Sequence, residues 1–291
     1  MQIKHSPMKW LTYFVLFVWA IISLLPLYWV FSTALQLPNY VEADPPKLIP
    51  MGIVEFFTHP ENRSLILHDT FAGFQQLFQS TNIWRWFFNS AYIAVVVTVG
   101  ILVLDTMAGY ALAKKEFPGR KLFFWLIVGT MMIPGQITLV PLFIMVQNLG
   151  LMNTHWALIL PDLSMVFGVF LMRQYMLSIP SDLLEAAKID GASEWKTFWT
   201  IVVPLAKPAL ATLGIFTFMN VWNSFLWPII VLNDADLYTL PVGLKTLQDQ
   251  NLAIFKLLMS GAAVAAVPMI VVFVAFQRHF IKGLTLGGVK E

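Results

Sequence analysis

Six stretches of this chain are apolar over about the length that a helix needs to cross a hydrocarbon core, roughly 20 residues for about 30 Å. They run over 11–31, 89–113, 122–146, 156–172, 209–232 and 257–277. The fourth is short. Four contain no charged residue; the second holds Asp105 and the fourth holds Asp162. The runs are continuously apolar rather than alternating, which argues against strand hairpins of a barrel. The expected fold class is therefore an all-α membrane protein with six transmembrane helices forming a single domain over 1–291.

Composition supports the same solvent. Only 12% of the 291 residues are charged and the mean hydropathy is +0.72, where a soluble domain carries about 25% charged residues. The first stretch follows Lys4 and Lys9, as a secretory leader would, but its apolar length exceeds the usual core of about 7–15 residues, so it is expected to be a retained span. Lys and Arg divide unequally between the two sides. The N-terminus, 114–121, 173–207 and the C-terminus carry 13 of them, and the loops 32–88, 147–155 and 233–256 carry 5. The positive-inside rule then places both termini in the cytoplasm.

Chemistry of other kinds finds little support. The net charge is +2 with no dense basic block, so nucleic acid is not an expected partner. Cysteine is absent, which removes disulfides, thiolate metal ligands and thiol catalysis. No GxxxxGK[ST] loop occurs, so the chain cannot itself be an ATPase of that class. No HExxH pair or GxSxG elbow is present. No cofactor or metal is expected on this chain, which reads as a transport component rather than an enzyme.

The candidate path residues are the polar groups at membrane depth. Asp105 is either a pathway residue or a hydrogen-bonded group that fixes helix packing, because an intramembrane carboxyl group must face protein or water. Asp162, after Pro161, is expected to cap a broken helix, with a substrate contact as the alternative. Pro134-Gly135-Gln136 would break the third span and present an amide there. Asn220, Trp222 and Asn223 combine amides with an aromatic ring, which suits a hydroxylated solute, although Asn also joins membrane helices to one another.

Two loops stand out. The outer loop over 36–88 is rich in proline and aromatics, with an amphipathic pattern at Phe71, Phe74, Leu77 and Phe78, and with Trp84 and Trp86 where an interfacial belt is expected. The cytoplasmic loop over 178–208 is too polar to span and too apolar to be a plain solvated loop. Asp182 and Glu185 have capping-box spacing, Gly191 allows a turn, and Ser193 can cap a second short helix through Ile201. Two short helices held at the membrane face form either a docking knob or an interfacial rest on lipid.

Within that loop, Glu185-Ala186-Ala187-Lys188-Ile189-Asp190-Gly191, nine further residues and Ile201-Val202-Val203-Pro204 resemble the EAA motif of ATP-binding-cassette (ABC) import permeases, E-A-A-x3-G-x9-I-x-L-P. Val203 replaces the usual leucine. The resemblance implies that Glu185, Ala186, Ala187, Asp190, Gly191, Ile201 and Pro204 belong to a coupling segment that docks on a separate ATPase. The tail over 277–290, with Lys282, Gly283, Gly287 and Gly288, resembles the C-terminus of carbohydrate-uptake permeases, in particular the second membrane subunit of maltose-type importers, and implies a partner contact there. Trp222–Pro228 resembles that group's fifth-span signature. Residues 51–69 look like an insertion.

The resemblance implies a type I ABC importer permease in the cell inner membrane, forming the path for a sugar or oligosaccharide. Its expected partners are an ATPase dimer that binds ATP and Mg, a second permease, most simply a different chain, an extracytoplasmic solute-binding protein and the lipid bilayer. Another small solute, or ion-coupled secondary transport, are the alternatives.

Overall fold

The computed structural model describes residues 7–41, 43–249 and 255–285. The predicted contacts at Gly287 and Gly288 lie outside the described residues, and Lys282 and Gly283 are described only as helical backbone. The chain divides into two compact units, Met1–Ile83 with Leu244–Val267 and Trp84–Gly243 with Pro268–Glu291. Among the described residues all regular structure is helical, with no strand.

In the first unit, α1 (Pro7–Ala34) is a long apolar rod whose outward residues, such as Trp10, Phe14, Phe17 and Trp19, are exposed. In a bilayer those side chains meet lipid, and the helix keeps all its backbone groups paired internally. Gln36, buried just after α1, organises the loop that follows. Its Oε1 accepts from Met51 N at 2.6 Å and Leu37 N at 3.2 Å, and its Nε2 donates to the Ile49 carbonyl at 3.4 Å. Gln36 thereby supplies an acceptor to the unpaired N-terminus of α2 (Met51–Thr58).

α2 and α3 (Arg63–Ser80) pack so closely that a Cβ at Gly52 would come within 2.2 Å of Thr70 Oγ1. Residues 51–69, which the sequence suggests as an insertion, build α2 and the first turns of α3. The amphipathic pattern at 71–78 marks only the second half of a longer helix. Lys256, near the start of α15 (Phe255–Thr285), is buried and donates to the Asp69 carbonyl of α3.

The second unit takes in α4 (Ile83–Lys114) from Trp84 onward. Its outer end is not an aromatic belt throughout. Trp84 is exposed, but Trp86 is buried, packs on the bare Cα of Gly243 and donates its indole N–H to the Ala235 carbonyl at 2.8 Å. The expected third span over 122–146 is two helices, α5 (Arg120–Thr130) and α6 (Gly135–Asn148), meeting at 97°. Pro134 has no N–H to continue α5 and is well suited to precede the first turn of α6.

The fourth span starts with the short α7 (Trp156–Ile159), passes a turn at Leu160–Asp162 containing Pro161, and continues as α8 (Val166–Leu177). The loop that follows carries α9 (Asp182–Ile189), α10 (Glu194–Thr197), a wide turn over Phe198–Val202 and α11 (Val203–Leu205). α12 (Lys207–Trp222) then runs into the core. The expected stretch 209–232 does not continue unbroken, because α12 ends at Trp222 and α13 (Leu226–Val231) restarts beyond Ser224. α14 (Leu240–Asp249) leads toward α15.

Among the described residues four helices are individually long and apolar enough to cross a membrane, and counting each sharply bent pair as one span brings the number to six. The second bent pair joins Glu194–Leu205 to α12 at 78°. The core of this unit gathers Val97 and Ile101 of α4, Met172 and Met176 of α8, and Leu213 of α12, all buried.

Candidate translocation cleft and coupling helix

The break in the fourth span creates the site. A helix start inside a membrane leaves backbone N–H groups that lipid cannot satisfy. Asp105, from the middle of α4, fills that need. It is 0% exposed, accepts from Met165 N at 3.0 Å with Oδ2 and from the Ser164 hydroxyl at 2.9 Å with Oδ1. Gly168 lets the two helices approach, since a Cβ there would come within 2.1 Å of Asp105 Oδ2. The expectation that Asp162 caps the helix is therefore corrected: Asp162 lies in the preceding turn, and the acceptor comes from Asp105 on another element.

Asp162 instead opens into a cleft of about 250 Å³. Ile101 of α4 forms one wall. Asp162, Ser164 and Met165 of the break form another. Thr217, Asn220, Val221 and Ser224, on and just after α12, complete it. The Thr217 hydroxyl is buried, and no hydrogen-bond partner is present for it among the described residues. A polyol or water entering the cleft would meet hydroxyl, amide and carboxyl groups against an apolar backing. The larger groove between α4, α12 and α15, by contrast, is lined by Leu102, Leu210, Phe218, Val272 and Phe276 and offers Thr98 as its one polar side chain.

Of the residues singled out for the path, Asn220 lines this cleft, as does Asp162 in its alternative role, and Asp105, Gln136, Trp222 and Asn223 lie elsewhere. Trp222 is 2% exposed and packs between Phe87 and Phe218, at ring-centroid distances of 5.5 and 5.8 Å. Its place is in the packing. Asn223 donates to the Met219 carbonyl at 2.8 Å and so finishes α12. Gln136 sits exposed in the first turn of α6 and does not line the cleft. Asp105 lies behind the cleft wall. Thr217, Ser164 and Ser224 escape a sequence reading because an isolated Ser or Thr in an apolar run has no pattern. Among the described residues no three His, Cys, Asp or Glu gather as a metal site.

The coupling segment is the second feature. α9 ends in a Schellman arrangement, with Gly191 N donating to the Lys188 carbonyl at 3.1 Å and Ala192 N to the Ala187 carbonyl at 2.9 Å. Gly191 has φ +74°, where a side chain is disfavoured. The predicted capping box is absent. Helix α9 begins at Asp182 itself, and the Ser181 carbonyl receives Leu184 N and Glu185 N. Ser193 does cap α10, accepting from Lys196 N at 3.3 Å.

Leu184 and Ala187 turn inward, whereas Leu183, Glu185, Ala186 and Asp190 are exposed and Ile189 is 87% exposed. Ile201 lies half-buried in the wide turn and Pro204 in α11, so both lie on the link toward α12 rather than on α9.

Two adjacent lysines clamp this segment from the end of α4. The Lys114 ammonium donates to the Ile179 carbonyl and, at 3.4 Å, to the Ser181 hydroxyl, just before α9. Lys115 forms an ion pair with Glu194, just after it, and Tyr110 donates to the same carboxylate at 3.3 Å. The Lys115 ammonium holds the Glu194 carboxyl below the usual carboxylate range. α9 is thus fastened on both flanks to the helix that also carries Asp105.

Comparison with known proteins identifies the lineage. The model of the family described as binding-protein-dependent transport system inner membrane component matches residues 105–286. The chain belongs to that family. The permease is 44% identical over 207 residues to the arabinooligosaccharides transport system permease protein AraQ of Halalkalibacterium halodurans, covering 71% of this chain and 74% of that protein. It is 34% identical over 271 residues to the sn-glycerol-3-phosphate transport system permease protein UgpE of Yersinia pestis, covering 92% and 93%.

A solved bacterial ABC transporter involved in the import of the acidic polysaccharide alginate contains a chain that superposes with a TM-score of 0.81 at 23% identity, over 96% of this chain and 99% of that one. The fold is that of a type I ABC importer permease.

Proposed function

We propose that this permease forms half of the translocation path for a sugar or oligosaccharide in an ATP-driven importer. The observation that carries the reading is the cleft, where the Thr217 hydroxyl, the Asn220 amide and the Ser224 hydroxyl face one space. Such groups replace the water around a polyol at small enthalpic cost. The kinship with the arabinooligosaccharide permease AraQ supports the same cargo class.

α9 is the group that couples the path to ATP. Its exposed Leu183, Ala186 and Ile189 form an unpartnered apolar side, bordered by Glu185 and Asp190, that fits a groove on a separate ATPase. ATP and Mg are held by that partner dimer. ATP-driven closure of the dimer pulls α9, and the clamps at Lys114 and Lys115 pass the motion to α4 and the cleft. A second, different permease closes the other side of the path, and a cargo-loaded binding protein delivers the solute outside. The excess of Lys and Arg on one side supports a cytoplasmic position for α9 and both termini. The whole chain serves as one transmembrane domain.

The natural chain has no cysteine, so a single introduced thiol reports cleanly on its own position. Asn220→Cys, assembled with its partners, should be labelled by a water-soluble thiol reagent from the outside, and arabino-oligosaccharide with its binding protein should slow that labelling. Labelling that ignores solute, or a thiol that never reacts in a transport-competent complex, would remove Asn220 from the path.

A further inference from the structure

We infer that Asp162 makes the cleft selective by charge, admitting uncharged or amine-bearing solutes and rejecting carboxylate- and phosphate-bearing ones. This inference rests on the cleft being part of the path. Among the described residues that line it, Asp162 is the one charged side chain, and none of them is basic. Its carboxyl group has no hydrogen bond or ion pair with the described residues, unlike Asp105, which is fully engaged with Met165 and Ser164. The turn at Leu160–Asp162 needs no such side chain to form, because Pro161 already sets the backbone.

The remaining polar groups do not offset the acid. Thr217 and Ser224 offer hydroxyls and Asn220 an amide, which can pair with sugar hydroxyls on either the donor or the acceptor side. An anionic solute would bring a second negative charge close to Asp162, in a space partly walled by Ile101, Met165 and Val221. Like charges about 6 Å apart repel enough, between water-like and protein-like dielectric limits, to disfavour the anion roughly tenfold. An ammonium group on the solute would gain instead. Fold and family do not settle cargo charge, since the relatives include a permease named for sn-glycerol-3-phosphate and a structural neighbour that takes part in alginate import. Asp162 would disfavour both of those cargo types.

The test uses the complete transporter in proteoliposomes, with ATPase, partner permease and binding protein. The probes are arabinobiose and the same disaccharide oxidised to its terminal carboxylic acid. Each is supplied at a concentration that gives equal binding-protein occupancy, and uptake is divided by the ATPase rate. The wild type should move the neutral probe about tenfold faster, and Asp162→Asn and Asp162→Ser should bring the two probes to within about twofold.

An unchanged ratio in either variant that retains ATP-dependent uptake of arabinobiose would overturn the inference. So would loss of assembled complex in both variants, since that makes Asp162 a structural residue. A wild type that takes up neither probe with ATP would contradict the sugar-path reading instead, and labelling at position 220 separates the two.

Discussion

Asp105 and Gly168 are in contact across two helices, with the acid occupying the space that any side chain at Gly168 would need. The same carboxyl group caps the broken fourth span at Met165. Asp105 is thereby bound to the architecture of the cleft rather than to its contents. Asp105→Ala should cost about 3 kcal/mol, from hydrogen bonds to an acidic acceptor and the unpaired groups left behind, and should reduce the amount of assembled complex. Asp105→Asn keeps one acceptor oxygen and should lose much less. Gly168→Ala should be destabilising by about 1–3 kcal/mol through overpacking. Thermal denaturation of the purified complex ranks the three.

Trp222 provides a contrast within the same helix as Asn220. Buried between Phe87 and Phe218, it should cost about 3–5 kcal/mol when cut to alanine. The fraction of Trp222→Ala protein that still assembles should transport with an unchanged preference among solutes. A changed preference, read by competition between unlabelled sugars, would return Trp222 to the path.

The turn after α9 is a backbone device. A side chain at Gly191 meets no neighbouring atom, but the positive φ disfavours it by about 1–2 kcal/mol. Gly191→Val should therefore loosen the end of α9 while the membrane helices stay inserted. ATP hydrolysis should continue, and its stimulation by loaded binding protein should fall together with uptake. Glu185→Lys should give the same uncoupling by reversing charge on the exposed surface. Normal uptake in both variants would remove α9 from the coupling role.

The Lys115–Glu194 pair sets a pH window. The folded Glu194 carboxyl titrates below its unfolded range, so the pair is present above that range and is lost as pH falls through the lowered value. Glu194 should thus stay charged and paired between about pH 6 and 8 and add no pH dependence to coupling there, and Glu194→Gln should copy at neutral pH what strong acid does to the wild type. Both groups are partly exposed, so the expected loss in stimulated ATPase activity is modest, and Lys115→Met should match it.

Much of the fold is legible before the structure because its causes are local. Long apolar runs in α1, α4 and α15 specify helices by length alone, and the spacing from Glu185 to Pro204 marks the candidate coupling segment without any tertiary information. The breaks are less legible. Pro134 announces a kink, but whether two helices meet at a shallow angle or at 97° depends on what packs beneath them. The cleft is hardest of all. Asn220 can be picked out as an amide in an apolar helix, yet Thr217, Ser164 and Ser224 join it only because Asp105 ties α8 to α4 at one depth. Of the two roles open to Asp105 the structure shows the packing one, and the cap expected of Asp162 comes from Asp105 instead: a cap can be supplied from sixty residues away, and sequence adjacency does not reveal it.

The central claim is that ATP hydrolysis on a partner, delivered through α9, moves a sugar through this permease. It is tested most directly by reconstituting the purified complex into liposomes and measuring uptake of labelled arabino-oligosaccharide with and without ATP in the binding-protein compartment's opposing lumen. The account predicts accumulation that requires ATP and the binding protein and that Gly191→Val reduces. Uptake by this chain without ATP, driven by an ion gradient, would contradict it.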